Sequence, residues 1–496
     1  MLKASLYFGA IALVCLVAAD IEITTLDPWF ELQRMLTGAL TPDFSSLLEF
    51  KTAILNTITF ALCGLFIGVA LGTALAFLFH FSAVRLFCSF IRSIHEIFWA
   101  FIFLPIVGLN PICGILAVAI PYSGILAKVY AEILQEADQK PLAGLPSRVK
   151  PISKFFYGIL PVIYEDVKNY TAYRFECALR SCAVLGFIGL PTLGFHLETA
   201  FREGHYSEAA ALLYSFYLLI ASLKYWLKPK LVMIYVGAAF ILVSKEVTLS
   251  LANVSRFFTY EILPWPMRRE GFLTGNYDIA FPLDQIREWG TRIFQNEALP
   301  GMVQTAVLTQ IALVATGVFT LIGFATISRH FFGPFFRRIS HYALIVIRTT
   351  PEYILAYLFL QLWGPSMLPA ILAIALHNGA ILAYLTGQNA DLVELRIDAP
   401  RKKLNRYFFE VLPRVYGQFL AFLFYRWEVM MRESAILGIL GIYTLGFFID
   451  SAISDDKLDK AVLLIFITAA LNMLIDTTSQ LVRKRLKVST KLVTSY

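Results

Sequence analysis

The chain alternates long apolar stretches with short polar ones. Runs such as "YFGAIALVCLVAA", "FALCGLFIGVALGTALAFLF" and "LIFITAALNMLI" carry almost no charge. A helix needs about 20 such residues to cross the hydrocarbon core of a bilayer, and several runs reach that length with their flanks. The pattern predicts helices near 4–20, 52–80, 87–107, 111–131, 163–188 and 206–226, and again near 231–247, 301–328, 339–362, 367–387, 415–440 and 458–480. The expectation is an all-α integral membrane protein.

Composition agrees with the pattern. The 496 residues are 58% hydrophobic and 16% charged, with a mean hydropathy of +0.67, whereas a soluble domain carries about 25% charged residues. Lys3 ahead of the first apolar run also allows a signal peptide. However, "VAADIEITT" offers only a weak cleavage site, and the same arrangement returns at Lys230 before "LVMIYVGAAFILV". A retained first helix is the better reading. The net charge of +7 is what cytoplasmic lysines and arginines give a membrane protein and implies no nucleic-acid partner. All six cysteines (15, 63, 88, 113, 177 and 182) lie in or beside apolar segments of the first half, without a CxxC pair. Buried free thiols are expected, not a metal site. His95, His196 and His377 have no ligand spacing, so no metal or other cofactor is expected.

Internal repetition decides the organisation. Residues 174–200 laid on 426–452 match at 12 of 27 positions without gaps. The matches include Arg174/Arg426, Glu176/Glu428, Arg180/Arg432, Gly186/Gly438, Gly189/Gly441 and Gly194/Gly446. Upstream, "IRSIHE" (91–96) answers "IRTTPE" (347–352), each followed by an apolar run and a glycine, Gly108 or Gly364. The chain therefore reads as two homologous halves, 1–228 and 229–496, divided near "KYWLKPK". Halves that run in the same sense each cross the membrane an even number of times, here about six. Lys224, Lys228, Lys230, Arg329, Arg337, Arg338 and "RKRLK" from Arg483 fall on one side of this arrangement, which marks that side as cytoplasmic. The acidic stretch 20–31 and the segment 248–300 then lie outside.

Charges inside the apolar stretches are costly and count as functional candidates. Glu176 and Arg180 are four residues apart and can pair on a helix, as can Glu428 and Arg432, Arg92 and Glu96, and Arg348 and Glu352. Such pairs read either as braces between helices or as part of an anion path. Arg174 and Arg426 lie on another face, where a carboxylate partner is not evident. Gly186, Gly189 and Gly194, with Gly438, Gly441 and Gly446, suit either a bend acting as a gate or simple close packing.

Between the fourth and fifth helices of each half lies a long polar segment, "AEILQEADQKPLAGLPSRVKPISKFFYGILP" in the first and "GQNADLVELRIDAPRKKLNRYFFEVLP" in the second. These segments resemble the cytoplasmic "EAA" loop of membrane subunits of binding-protein-dependent ABC importers. In the second half Glu394, Pro400 and Leu412-Pro413 keep the family's spacing, with Pro400 in place of its glycine and Glu410 in place of its isoleucine. In the first half Leu160-Pro161 fits, while Glu136-Ala137 and Gly144 are shifted. The doubled charged phrase "RFECALRSCAVLG" and "RWEVMMRESAILG" is similar to that of the phosphonate-type permeases, some of which carry phosphite or phosphate. Departures are Ala178 and Met430 at a usual asparagine, and "GLPTLG" and "GIYTLG" for the usual glycine-rich turn.

The resemblance implies a fused permease of the type I (MetI-like) fold, multi-pass in the bacterial cytoplasmic membrane, with a short coupling helix in each EAA loop. It implies two copies of a separate ATPase, an extracytoplasmic binding protein, and one translocation pathway to which Arg92, Arg174, Arg348 and Arg426 with the Glu-Arg pairs are candidate contributors. No GxxxxGK[ST] phosphate loop occurs, so ATP hydrolysis would belong to a partner chain, and the chain itself is not expected to be an enzyme. The competing expectation is a twelve-helix secondary transporter of the major facilitator type. A long central linker would favour it, and here the linker is short.

Overall fold

The structure is a computed structural model, described over residues 1–45, 50–138, 150–244, 250–268 and 282–486. Helices account for the architecture, and no strand occurs among the described residues. From the N-terminus the α-helices of six residues or more are α1 (Leu2–Ala18), α2 (Pro28–Leu40), α3 (Lys51–Phe77), α4 (Ser82–Ser93), α5 (Glu96–Val107), α6 (Pro111–Glu136), α7 (Leu160–Val184), α8 (Leu193–Arg202) and α9 (Tyr206–Trp226). There follow α10 (Pro229–Ser244), α11 (Leu251–Arg256), α12 (Leu283–Ile293), α13 (Leu299–Ile327), α14 (Pro334–Thr349), α15 (Glu352–Trp363), α16 (Met367–Asp391), α17 (Leu412–Ser434), α18 (Leu445–Ser454) and α19 (Leu458–Leu486). Among the described residues six helical stretches are long and apolar enough to cross a membrane, and up to nine if three bent pairs each count as one span.

Two expected spans are broken. The segment near 87–107 is α4 and α5, meeting at 90°, and the segment near 339–362 is α14 and α15, meeting at 93°. Single residues cause both breaks. Ile94 and His95 are extended, and the His95 ring accepts a hydrogen bond from the Ile97 backbone N–H, so that His95 caps α5. In the second copy Pro351 takes the capping position, and a residue preceding proline is driven out of the helical region. Arg92 and Glu96, like Arg348 and Glu352, are therefore not one turn apart on a single helix. Each glutamate instead opens a new helix, where the positive end of the helix dipole favours a carboxylate.

The chain forms two compact units, Met1–Arg34 with Tyr260–Tyr496, and Met35–Thr259. They differ from the halves 1–228 and 229–496 because each half's leading helix packs with the body of the other. In the first unit α1 lies on α13 and α17: Phe8 sits 5.1 Å from the Phe424 ring and 5.4 Å from Trp427, and Gln310 donates to the Phe8 carbonyl at 3.0 Å. In the second unit α10 lies on α3, with Phe240 6.0 Å from Phe66. The repeat boundary is thus not the packing boundary.

Within each unit one long helix pair forms the centre. Gly64, Gly68 and Gly72 line the face of α3 toward α6, where an added Cβ would come within 3.0, 3.2 and 2.8 Å of Val118, Tyr122 and Leu126 Cβ. Small residues spaced by four let helix backbones approach closely where lipid supplies no hydrophobic drive. The counterpart contact joins α13 to α16, with Gly323 under Ala383. The outer segment is tied to α19 through buried Asp459, which meets Arg268 at 3.1 Å and accepts from the Trp265 N–H at 2.8 Å.

Candidate functional site

The charged phrase occupies α7 in one copy and α17 in the other, and the two have diverged. On α7, Glu176 and Arg180 form the expected pair at 3.7 Å. Arg174 Nε donates to Tyr170 OH at 2.8 Å, and its guanidinium lies 5.2, 5.6 and 6.0 Å from the ring centres of Tyr170, Tyr173 and Tyr122. No carboxylate of the described residues stands within ion-pair distance of Arg174. Aromatic faces hold a cation without cancelling its charge. Tyr122 in turn hydrogen bonds Ser181 at 3.2 Å.

On α17, Arg426 Nη1 lies 3.9 Å from Glu433 Oε1, so the second copy provides the carboxylate the first lacks. Glu428 and Arg432 stand one turn apart in the register of Glu176 and Arg180. Arg92 and Arg348 sit in the last turns of α4 and α14, and the Arg348 guanidinium lies 4.7 Å from the Tyr384 ring centre. Beside α17 three ionisable groups meet from three helices, partly exposed Glu352 (α15) and buried His377 (α16) and Glu433 (α17), whose ligand atoms all lie within 4.8 Å of one another. Spacing had given His377 no ligand company and left Glu433 unremarked. The first-half counterpart of Glu433 is Ser181, and that of His377 is Pro121, so the repeat carried no signal for the cluster.

The glycines form a tight corner in each copy. The end of α7 winds into a 3-10 turn, Leu185–Ile188, that stops at Gly189 with φ +88°, and its counterpart stops at Gly441 with φ +83°. The chain then turns back so that an added Cβ on Gly194 would lie 1.7 Å from the Ala183 oxygen, and on Gly186 2.1 Å from the Phe195 nitrogen. Gly446 and Gly438 repeat both approaches at 1.7 and 2.1 Å. The backbone is closely packed at both corners.

The EAA-like segments differ in what they present. In the first copy Glu136 ends α6, Ala137 leaves it extended, and Leu160-Pro161 open α7. Gly144 lies outside the described residues. In the second copy Leu412-Pro413 open α17, but the stretch from Glu394 through Pro400 forms no coupling helix, only a turn from Arg396 to Ala399. Glu410, standing where the family has isoleucine, is 3% exposed and binds Arg396 at 3.2 Å and Arg414 at 2.6 Å. Arg414 also donates to the Glu394 carbonyl at 2.6 Å. These contacts fix an irregular loop that leaves Leu392 and Ile397 exposed.

This arrangement defines an all-α, multi-pass membrane protein with a duplicated charged helix. Over 222 residues the chain is 26% identical to the phosphite transport system permease protein PtxC of Stutzerimonas stutzeri, covering 42% of this chain and 81% of that protein. It is 24% identical over 430 residues to the phosphate-import permease protein PhnE of Mycolicibacterium smegmatis, covering 82% of this chain and 78% of the relative. A third relative, the putative cryptic phosphonate transport system permease protein PhnE2 of Escherichia coli, is 29% identical over 99 residues. The first match has the span of one half and the second spans both. These likenesses do not favour the twelve-helix secondary transporter. No family model matches the chain, and no solved structure does.

Proposed function

We propose that this chain is the permease of an ATP-driven, binding-protein-dependent importer that carries a small phosphorus oxyanion, such as phosphonate, phosphite or phosphate, into the cytoplasm. The observation that carries the reading is Arg174, a cation seated among tyrosines with no carboxylate of the described residues within ion-pair distance. Its Tyr170 partner and the cation-π contacts hold the guanidinium while leaving its charge available to an oxyanion, which guanidinium binds through paired N–H donors. The relatives' names supply the substrate class.

Energy then comes from a separate ATPase. The exposed loop around Ile397, held by Glu410, is the docking element proposed for the second half, and the segment between Glu136 and Leu160 serves the first. Co-purification tests this part of the reading. The chain expressed with its ATPase is expected to retain it through detergent extraction, and Ile397→Asp to release it. Retention unaffected by the Ile397 substitution would remove the loop from the interface.

A further inference from the structure

We propose that Glu352, His377 and Glu433 form a binding site for a divalent transition cation of the zinc class. The three donors converge from α15, α16 and α17, with their ligand atoms within 4.8 Å of one another. Zinc bonds to nitrogen and oxygen of about 2 Å set neighbouring ligands about 3.3 Å apart, so small side-chain rotations close the cage. His377 Nε2 lies 3.7 Å from Glu352 Oε2.

The imidazole is already set for ligation. His377 Nδ1 lies 2.8 Å from the Thr350 carbonyl oxygen. A carbonyl only accepts, so Nδ1 carries the proton, and Nε2 is the ring atom left facing the Glu352 carboxylate. Anchoring the distal ring nitrogen on a backbone carbonyl is the arrangement found around metal-binding histidines. Asn378 supports the other side. It is fully buried and donates from Nδ2 to Glu433 Oε2 at 2.9 Å, while its Oδ1 has no hydrogen-bond partner. An unsatisfied buried carbonyl oxygen beside a carboxylate is costly and suits a cation.

Charge argues the same way. The Glu433 and Glu352 carboxylates are both largely withdrawn from water, at 8% and 13% exposure. A divalent ion neutralises the pair, and one imidazole with two carboxylates suits zinc, manganese or iron(II) more than calcium. The first copy serves as an internal control: Glu96 is retained, but Pro121 and Ser181 stand where His377 and Glu433 stand. Bound cation would clamp α15, α16 and α17 together just beyond the right-angle break at Pro351.

The test uses the full chain, tag-free in lipid nanodiscs, stripped with chelator, dialysed against zinc chloride and counted by elemental mass spectrometry. About one zinc per chain is expected, falling at least about tenfold in His377→Gln and Glu433→Gln and unchanged in His95→Gln. On the unsubstituted chain, zinc should also raise the melting temperature and chelator should reverse it, a readout that does not depend on how the variants fold. Absence of stoichiometric zinc from the parent chain, or full retention in folded His377→Gln, overturns the proposal. So does stability that answers to pH but not to zinc, which would make the cluster a proton store. Zinc counting needs no transport, so failure of the import reading leaves this result untouched.

Discussion

Arg414, in the first turn of α17, donates from Nη2 to Glu410 Oε1, just ahead of that helix, at 2.6 Å, and Glu410 holds Arg396 at the same time. One buried carboxylate thus ties an irregular loop to a helix start. Glu410→Ala should cost about 1–2 kcal/mol, less than a wholly buried pair because both arginines can turn to water. It should also weaken ATPase retention. Thermal unfolding and co-purification measure the two effects. An unchanged melting temperature would mean the loop is held by other contacts.

The corner glycines predict a sharp contrast. Gly194→Ala and Gly446→Ala each drive a methyl into a carbonyl oxygen, a backbone clash that repacking side chains cannot relieve, and should cost about 3 kcal/mol or more. Gly237→Ala, with nothing within 4 Å on α10, should be neutral or mildly stabilising, since alanine is the better helix former. Yield of monodisperse protein and melting temperature separate the cases. Equal yields would mean that the corner is loose.

Arg174 and Arg426 should behave differently although the sequence writes them alike. Arg174→Ala is expected to leave the fold intact and lower oxyanion uptake by about tenfold or more, the effect of losing a charge-assisted contact, while Arg174→Lys recovers part of it. Arg426→Ala removes a partner of Glu433 and should lower stability as well. Uptake in purified vesicles, normalised to folded permease, distinguishes them. Undiminished uptake by Arg174→Ala would make the tyrosine-held arginine a brace.

The exchanged leading helices predict how the chain can be cut. Residues 1–228 expressed alone lack α10, and 229–496 alone lack α1, so each should be degraded or aggregate. Co-expression should restore both, because Phe8 then meets Phe424 and Trp427, and Phe240 meets Phe66. Quantitative immunoblotting reads the outcome. Independent accumulation of 1–228 would contradict the exchange.

Much of this was legible in the residues. Apolar runs located the helices, and Arg174/Arg426 with the glycines after them revealed the repeat. The breaks at His95 and Pro351 were not read because the apolar pattern runs straight through them, although a proline ahead of Glu352 was a usable signal. The exchange of α1 and α10 was hidden because two uniformly apolar helices carry no mark of which body they join. Glu433 escaped, and Glu410 showed only as a departure from the family pattern, for another reason. Each departs from the repeat or from the family pattern, and a departure gains meaning only when its partners, His377 and Asn378 or Arg396 and Arg414, come together in space.

The central claim, import driven by a separate ATPase, is tested most directly in proteoliposomes containing the purified chain, with its ATPase inside and its binding protein outside. Uptake of radiolabelled phosphate, phosphite or phosphonate should require ATP and both partners, and should persist when the proton gradient is collapsed. Uptake by the chain alone, driven by a proton gradient without ATP, would contradict the account.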